Sequence, residues 1–304
     1  MIKGIKIALI AAGIAVVAAG VAGSLLLKNI VYGKRQTLDA AFNWQKDHTD
    51  VSWFEAVKKT EYEISSYDGY QLHMMLCEGE KSGADQDRYV ILTHGYTDNR
   101  YGTLKYMKFY LERGYSCVIY DLRGHGLNKK TYTSYGVREG KDLNAVIEDT
   151  RERYGENIHI GLQGESLGSA TSINVLQYKP DVDFVVADCG FSDIWNVLEG
   201  GFKMLHLPTA FLSLASGISK IRYGVSLKEM RPIDSLSENE VPIMFIHGAE
   251  DTFILPDNSK RMMEATKGYA EYHEISGAAH AESAIVAPEE YRSLVNAFLD
   301  HIDF

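Results

Sequence analysis

The amino-acid sequence predicts an α/β fold with a mostly parallel, eight-stranded sheet, helices on both faces and a helical cap inserted late in the chain. Two observations support this prediction. From about residue 61 onward, short apolar stretches alternate with longer amphipathic ones. One junction between such stretches carries Gly164-Glu165-Ser166-Leu167-Gly168, a G-x-S-x-G motif between a predicted strand and a predicted helix. With 304 residues, the chain is long enough for one large domain of this class.

The N-terminal region differs in composition from the rest of the chain. From Ile7 to Leu27 there are 21 residues without a charge, enough to cross the hydrocarbon core of a bilayer as a helix. We therefore expect residues 1–35 to form a single-pass membrane anchor, with the following domain outside the cytoplasm. A cleaved signal peptide and a buried core helix are the alternatives, although a signal peptide usually has a shorter apolar core of about 7–15 residues.

The charge distribution argues against nucleic acid as a partner. The net charge is −10, and the five basic residues before residue 39 leave 26 basic and 41 acidic side chains for the rest of the chain. A domain this acidic repels phosphate groups and anionic membrane surfaces. The three cysteines are scattered without a C-x-x-C pair, so no disulfide framework or zinc site is predicted.

The predicted elements follow one another from residue 36 onward. Residues 36–60 are polar and aromatic, and we interpret them as a helical stalk that docks on a domain spanning 61–304. Strands at 61–67 and 71–80 flank Asp68-Gly69, a favoured hairpin turn. Further strands are predicted at 88–93, 115–120, 157–163, 183–187, 242–246 and 271–275. Helices are predicted at 103–113, 138–154, 169–178, 257–267 and 288–303.

Residues 191–232 interrupt this alternation. They are rich in apolar and aromatic side chains and contain several glycines. An insertion of this kind after a strand predicts a helical cap over a binding site. Two additional core helices are the alternative interpretation.

The G-x-S-x-G motif predicts a nucleophile elbow centred on Ser166. A sharp turn between strand and helix holds the serine in a strained conformation, and the flanking glycines avoid collisions with neighbouring backbone. The helix N-terminus that follows favours negative charge near the serine. A glycine-rich turn that happens to contain a serine is the structural alternative.

A serine hydroxyl needs a base to become nucleophilic, and the base needs an acid to orient it. His280 follows the last predicted strand, and Asp251 follows the preceding one. The chain order Ser166, Asp251, His280 is the order expected for this type of elbow. If Asp251 instead caps a helix, Glu250 or Asp188 would supply the acid.

The same chemistry requires fixed donors for a developing oxyanion. We predict that the backbone N–H groups of Leu167 and Tyr96 provide them, because Leu167 follows the nucleophile and Tyr96 follows the third strand. Gly95 would allow that backbone to approach closely, and His94 is expected to support the loop. The Asp121 to Gly126 stretch is interpreted as a structural ion pair and turn. No metal-binding or nucleotide-binding motif is present, so no metal or cofactor is expected.

Taken together, these residues resemble the α/β-hydrolase superfamily from about residue 61 to the C-terminus. The resemblance is carried by His94-Gly95, Asp121-Leu122-Arg123-Gly124-His125-Gly126, Gly164-Glu165-Ser166-Leu167-Gly168, Asp251 and His280. The whole chain resembles bacterial membrane-anchored serine hydrolases related to the BEM46-type family. The resemblance implies a Ser-His-Asp triad, no cofactor and, in most members, hydrolysis of carboxylic esters. The loop is His94-Gly95-Tyr96 rather than H-G-G-G, which argues against bulky tertiary-alcohol esters.

The expected function is therefore a serine esterase or lipase that acts on a small-molecule or lipid-like ester through an acyl-enzyme. A peptidase or thioesterase would use the same residues and is the first alternative. A membrane-tethered scaffold without catalytic activity is an alternative from another class, because a fold does not guarantee a function.

Overall fold

The structure, a computed structural model, describes residues 19–80 and 87–304. The chain divides into two compact units. Among the described residues, 34–80, 87–193 and 231–304 form the larger unit, and 194–230 group with 19–33 in the smaller one.

The larger unit contains an eight-stranded sheet in the order β1-β2-β4-β3-β5-β6-β7-β8. Its strands are β1 (Lys59–Ser65), β2 (Gln71–Cys77), β3 (Arg88–Thr93), β4 (Ser116–Tyr120), β5 (His159–Glu165), β6 (Phe184–Asp188), β7 (Ile243–Gly248) and β8 (Ala270–Ile275). The β1–β2 and β2–β4 pairs are antiparallel, and the other five pairs are parallel. The prediction of a mostly parallel, eight-stranded sheet is confirmed.

Helices connect these strands. Within the described residues they are α1 (described over 19–31), α2 (Leu38–His48), α3 (Leu104–Glu112), α4 (Val137–Tyr154), α5 (Leu167–Asn174), α6 (Ile194–Met204), α7 (Ala210–Tyr223), α8 (Asp257–Ala265), α9 (Ser283–Val286) and α10 (Pro288–His301). Helices α1, α6 and α7 belong to the smaller unit, and the others belong to the larger one.

The sheet is covered by helices on both faces. Side chains alternate between the two faces along a strand, so every second strand residue joins the buried cluster under α3 and α10. That cluster includes Val90, Leu92, Cys117, Ile119, Phe184, Val186, Met244 and Ile246 from the strands, with Tyr106, Met107, Tyr110, Tyr291, Val295 and Phe298 from the two helices. Helices α4, α5 and α8 pack on the opposite face.

The segment interpreted as a stalk contains α2, which packs within the larger unit. The Phe42 ring lies 5.5 Å from the Tyr101 ring in an edge-on arrangement. The Gln45 side chain donates to the carbonyl of Gly102 over 3.2 Å. Thr37 begins the helix by accepting a hydrogen bond from the N–H of Ala40, as an N-cap residue does.

The prediction of a membrane anchor at residues 1–35 is wrong. No helix within 19–80 or 87–304 is both long enough and apolar enough to span a bilayer, and residues 7–18 of the predicted span lie outside the described part. The predicted membrane localisation, with an extracytoplasmic domain, is corrected by the same finding.

Some of the apolar residues of α1 that the structure describes are buried in contacts with other parts of the protein. Gly23 lies so close to α7 that an added Cβ would come within 2.8 Å of Leu214 and Ile218 side-chain carbons. Leu27, Ile30 and Val31 are buried on the same stripe of the helix, which is the spacing of a helix packed on a globular protein.

Candidate active site

Ser166 lies at a sharp turn between β5 and α5. Its backbone angles are φ 53° and ψ −110°, a positive φ that is costly for any residue with a Cβ. The turn is held by the Ser166 N–H, which donates to the carbonyl of Asp188 on the neighbouring strand over 2.9 Å. This geometry is the strained strand-to-helix turn expected of a nucleophile elbow.

The two motif glycines are required by close backbone contacts. An added Cβ at Gly164 would lie 2.3 Å from the carbonyl oxygen of Gly168, and one at Gly168 would lie 2.0 Å from the carbonyl oxygen of Thr93. Neither position can hold a larger residue unless the backbone moves. The glycines therefore allow the helix to begin directly against the strands.

The structure brings Ser166, His280 and Asp251 together at the carboxyl edge of the sheet. The Ser166 Oγ lies 3.0 Å from His280 Nε2, and His280 Nδ1 lies 2.7 Å from Asp251 Oδ2. The three residues follow β5, β8 and β7, whose parallel strands end at the same edge. His280 remains partly exposed, so its ring faces both the serine and solvent.

The Asp251 carboxylate is buried and holds four hydrogen bonds. One oxygen accepts from the N–H groups of Phe253 and Ile254, each over 2.9 Å. The other oxygen accepts from His280 and from His247. Burial by itself would raise the pKa of this carboxyl, but the hydrogen bonds from His247 and His280 hold the pKa well below its usual range. Asp251 is therefore ionised whenever His280 takes up a proton.

His247 is the residue at this site that sequence reasoning missed. It is buried at the end of β7, and its Nε2 lies 3.1 Å from Asp251 Oδ2 and 2.7 Å from the carbonyl oxygen of Ile254. Because both partners are acceptors, this nitrogen carries the proton, and Nδ1 accepts from the hydroxyl of Ser259. The spacing of four residues between His247 and Asp251 was the available signal.

The two substitute acids lie elsewhere. Glu250 is exposed, and Asp188 is fully buried with its carboxylate accepting from the Tyr106 hydroxyl. Within the described residues, Asp251 is the acid whose carboxylate contacts His280.

The backbone segments that carry the two predicted oxyanion donors lie next to Ser166. Leu167 is the first residue of α5. The Gly95 to Tyr96 backbone lies beside the elbow, since an added Cβ at Gly95 would be 3.7 Å from the Cβ of Ser166. The peptide group that carries the Tyr96 N–H is held through its Gly95 carbonyl oxygen, which lies 2.7 Å from His94 Nδ1. The next carbonyl, that of Tyr96, lies 2.6 Å from His125 Nε2.

His94 supports the same loop from below. Its Nε2 accepts from the N–H of Leu122 over 2.8 Å, so its Nδ1 carries the proton and donates to the carbonyl of Gly95 over 2.7 Å. Burial lowers the pKa of His94 far below its usual value. A neutral imidazole with a hydrogen bond at each ring nitrogen is suited to holding a loop rather than to reacting.

The Asp121 to Gly126 stretch makes structural contacts. Arg123 is fully buried and pairs with Asp68 and Asp142. The Asp121 carboxylate accepts from the N–H groups of Arg100 and Leu127, each over 3.0 Å. In the part of the chain that the structure describes, no group of three or more His, Cys, Asp or Glu residues could hold a metal ion.

The sequence matches a known family and a known relative. A family model described as “Serine aminopeptidase, S33” matches residues 84–239, just over half of the chain. The chain is 29% identical over 303 residues to the uncharacterised protein YqkD of Bacillus subtilis (strain 168), with 97% of both chains covered.

Solved structures give the same fold. The esterase Pf2001 of Pyrococcus furiosus superposes with a TM-score of 0.68 at 24% identity, covering 83% of this chain and 94% of that one. An α/β serine hydrolase homologue from Coxiella burnetii superposes with a TM-score of 0.54 at 20% identity, covering 79% and 97%. At these identities the likeness shows the fold alone, and the family match shows that the chain belongs to the serine aminopeptidase S33 family of α/β serine hydrolases.

Proposed function

We propose that the protein hydrolyses carboxylic esters, with Ser166 as nucleophile, His280 as general base and Asp251 as the acid that orients His280. The observation that carries this proposal is the continuous hydrogen-bonded path from Ser166 Oγ through His280 to Asp251, with distances of 3.0 and 2.7 Å. Both distances lie within the range that proton transfer requires.

The reaction would proceed in two steps through an acyl-enzyme. Ser166 Oγ attacks the ester carbonyl carbon while its proton passes to His280 Nε2, and the resulting oxyanion accepts from the N–H groups of Leu167 and Tyr96. The C–O bond to the alcohol then breaks, and His280 returns the proton to the leaving alkoxide oxygen. A water molecule, deprotonated by His280, hydrolyses the acyl-serine and restores the free hydroxyl.

The electrostatics of the acid support the role of His280. An imidazolium forms at His280 during each step, and the ionised Asp251 at 2.7 Å stabilises that charge. Because the pKa of Asp251 is held low, the carboxylate stays charged throughout the pH range in which His280 can act as a base.

The surroundings of His280 favour an apolar ester. The Phe253 side chain is two-thirds exposed, and its ring lies 5.1 Å from the His280 ring in an edge-on arrangement. An exposed aromatic ring beside the base offers contact area to an aliphatic or aromatic group of the substrate.

Within the superfamily, the same sequence motifs lead us to propose a relationship to the BEM46-type hydrolases.

A peptidase is the second candidate, because the matching family is described as serine aminopeptidase. A thioesterase would use the same nucleophile and base.

We also propose that residues 61–304 form the hydrolase domain, with 36–60 as a helical stalk docked on it and about 191–232 as the inserted cap. The separate compact unit that contains residues 194–230 supports the insertion, whereas residues 36–60 belong to the same compact unit as the sheet.

The test compares nitrophenyl esters of graded acyl length with aminoacyl nitroanilides. We expect hydrolysis of the esters by the wild type and a loss of at least about a thousandfold in Ser166→Ala. Faster turnover of the anilides would favour the peptidase. Ser169→Ala is the matched control, since Ser169 lies on the same helix and, among the described residues, its buried hydroxyl has no hydrogen-bond partner.

Labelling by a fluorophosphonate separates an enzyme from a non-catalytic scaffold. We expect the wild type and Ser169→Ala to be labelled and Ser166→Ala not to be. No labelling of any of the three would favour the scaffold.

A further inference from the structure

A buried lysine lies behind the elbow. Lys105 belongs to α3, and its side chain is only 4% exposed. Its Nζ lies 2.5 Å from Glu165 Oε2 and donates to the carbonyl oxygen of Ala281 over 2.7 Å. The mechanism proposed above does not use this ammonium group.

Both partners of Lys105 are sequence neighbours of the proposed reacting residues. Glu165 directly precedes Ser166, and Ala281 directly follows His280. One ammonium group therefore contacts both the end of β5 and the loop that follows β8, and the proposed reacting side chains beside these two contacts are 114 positions apart in the chain.

The Ala281 end of this contact is strained. Ala281 has a φ of 63°, a conformation that residues with a Cβ adopt rarely and keep only where surrounding contacts impose it. The hydrogen bond from Lys105 to the Ala281 carbonyl is one such contact, and it acts on the residue that directly follows His280.

The Glu165 end is part of a buried polar network. The Tyr106 hydroxyl lies 2.7 Å from Glu165 Oε2 and 3.0 Å from Asp188 Oδ2. The backbone carbonyl of Asp188 in turn accepts the N–H of Ser166. The carboxylate that Lys105 holds is thus connected to the elbow through side-chain and backbone bonds.

The energetics of a buried ion pair favour a geometric role over a stabilising one. Lys105 and Glu165 both lose their hydration, and their attraction offsets that loss only in part. Apolar residues of similar size would often serve stability equally well. The contribution specific to Lys105 is the fixed position of the His280 loop relative to the end of β5.

We propose that Lys105 is a positioning residue, which holds the His280 loop against the Ser166 elbow so that the hydroxyl and the imidazole stay within hydrogen-bond distance. This inference rests on the proposed function for the roles of Ser166 and His280. It also explains why a charged residue, Lys105, is buried in the interior of the larger unit.

The test is Lys105→Met, with Lys108→Met as the matched control. Lys108 lies on the same helix, but its ammonium group is partly exposed and pairs with Asp50 at the surface. Because misplacement of a reacting group by about 1 Å can cost about a hundredfold in rate, we expect Lys105→Met to lower both kcat and the fluorophosphonate labelling rate by about 10- to 100-fold. We expect KM to change less than about threefold, and the control to match the wild type. Rates are to be divided by the number of titrated active sites, which removes the effect of partial unfolding. Wild-type rates in Lys105→Met would overturn the proposal.

A double variant separates positioning from simple charge compensation. If Lys105 only neutralises Glu165, Lys105→Met combined with Glu165→Gln should recover the rate of Glu165→Gln alone. The proposal predicts that the double variant stays at least about tenfold slower, since the contact with Ala281 is still lost. Full recovery would contradict it.

The crystal structure of Lys105→Met gives a readout that needs no substrate. We expect the distance between Ser166 Oγ and His280 Nε2 to exceed 3.5 Å, compared with an unchanged value in Lys108→Met. If that distance stays at 3.0 Å, the inference fails even if ester hydrolysis is confirmed, and if it lengthens, the inference stands even if no ester is turned over. Should Lys105→Met not fold, Lys105→Arg keeps the charge and the donors, and a labelling rate within about fivefold of the wild type is expected. A hundredfold loss in a folded Lys105→Arg that keeps both contacts would overturn the proposal.

Discussion

At the scale of single residues, the site depends on Ser166 holding a backbone conformation that its side chain disfavours. The neighbouring glycines make this possible, because Gly168 sits where a Cβ would lie 2.0 Å from the carbonyl oxygen of Thr93. The N–H bond from Ser166 to Asp188 keeps the turn in place. Strained backbone conformations of this kind persist only where surrounding contacts impose them, and they cluster at functional sites.

Gly168→Ala tests that requirement. We expect the free energy of unfolding to fall by about 1–3 kcal/mol, because the added methyl group overpacks a contact between backbone segments. Chemical denaturation measures the change. Gly200→Ala is the control, since nothing lies within 4 Å of a Cβ added there. Its free energy of unfolding should not fall, because alanine inside a helix is favoured over glycine by about 1 kcal/mol. Equal stability of Gly168→Ala and the wild type would contradict the account.

His247→Leu tests the support given to Asp251. Removal of the imidazole takes one donor from the carboxylate and leaves the Ser259 hydroxyl without its acceptor. We expect kcat to fall about tenfold with little change in KM, and the free energy of unfolding to fall by about 1–3 kcal/mol. His273→Leu, at a partly exposed position on β8, should retain the wild-type kcat. A His247→Leu enzyme with wild-type kcat would show that Asp251 needs no second histidine.

Asp188 makes stability depend on pH. Burial, together with the nearby charge of Glu165, raises the pKa of Asp188 to about 6, compared with about 3.9 in an unfolded chain. The folded state therefore binds this proton more tightly, and the stability it contributes is present below about pH 4 and lost as the pH rises through 6.

Asp188→Asn removes that titration. We expect the melting temperature of the variant to rise relative to the wild type as the pH increases from 4 to 7, because only the wild type must lose a buried proton over that interval. Melting curves at four or five pH values measure the difference. A difference that is constant with pH would contradict the raised pKa.

Some residues of the site could be predicted from the sequence, and others could not. Ser166, Asp251 and His280 each follow a recognisable strand, and their order along the chain is characteristic, so all three could be named in advance. Lys105 could not be, because a lysine in an amphipathic helix is normally a surface residue. Its burial depends on Glu165 and Ala281, which lie far away in sequence.

At the scale of elements, the sheet and its helices were predictable because the apolar periodicity of each segment matches its structure. The ends of the elements were less so. Strand β5 continues to Glu165, two residues beyond the predicted 157–163, and α5 begins at Leu167 with only Ser166 between them. Only one residue separates the strand from the helix, whereas the prediction assigned the whole five-residue motif to the turn between them.

Arg123 joins three elements of the larger unit. It contacts Asp68 in the β1–β2 hairpin and Asp142 in α4 from the loop that follows β4. Both Arg123 and Asp142 are fully buried. The two ion pairs of Arg123 therefore hold the hairpin, the loop and the helix together.

Arg123→Met should lower the free energy of unfolding by about 3 kcal/mol, because it leaves the Asp142 carboxylate buried without its charge partner. Arg153→Met is the control: it removes a more exposed ion pair with Asp149 on α4, the helix that also carries Asp142. It should lower the free energy of unfolding by less than about 0.5 kcal/mol. Urea denaturation of the two variants measures both effects. Similar losses in the two variants would contradict a special role for Arg123.

At the scale of the whole molecule, the order of the strands decides where the site forms. The parallel strands β5, β7 and β8 end at one edge of the sheet, so the residues that follow them meet there although they are far apart in sequence. The N-terminal region shows the limit of sequence reasoning at this scale. Apolar length alone predicted the span, whereas the close approach of Gly23 to α7, in the part of the segment that the structure describes, depends on the tertiary structure.

The most direct test of the whole account is the rate and position of covalent labelling by a fluorophosphonate, followed by peptide mapping. The account predicts that the label is found on Ser166 and that His280→Ala slows labelling by at least about a hundredfold, since a general base contributes about 10²–10⁴ to such a step. A label on another residue, or labelling of His280→Ala at the wild-type rate, would contradict it.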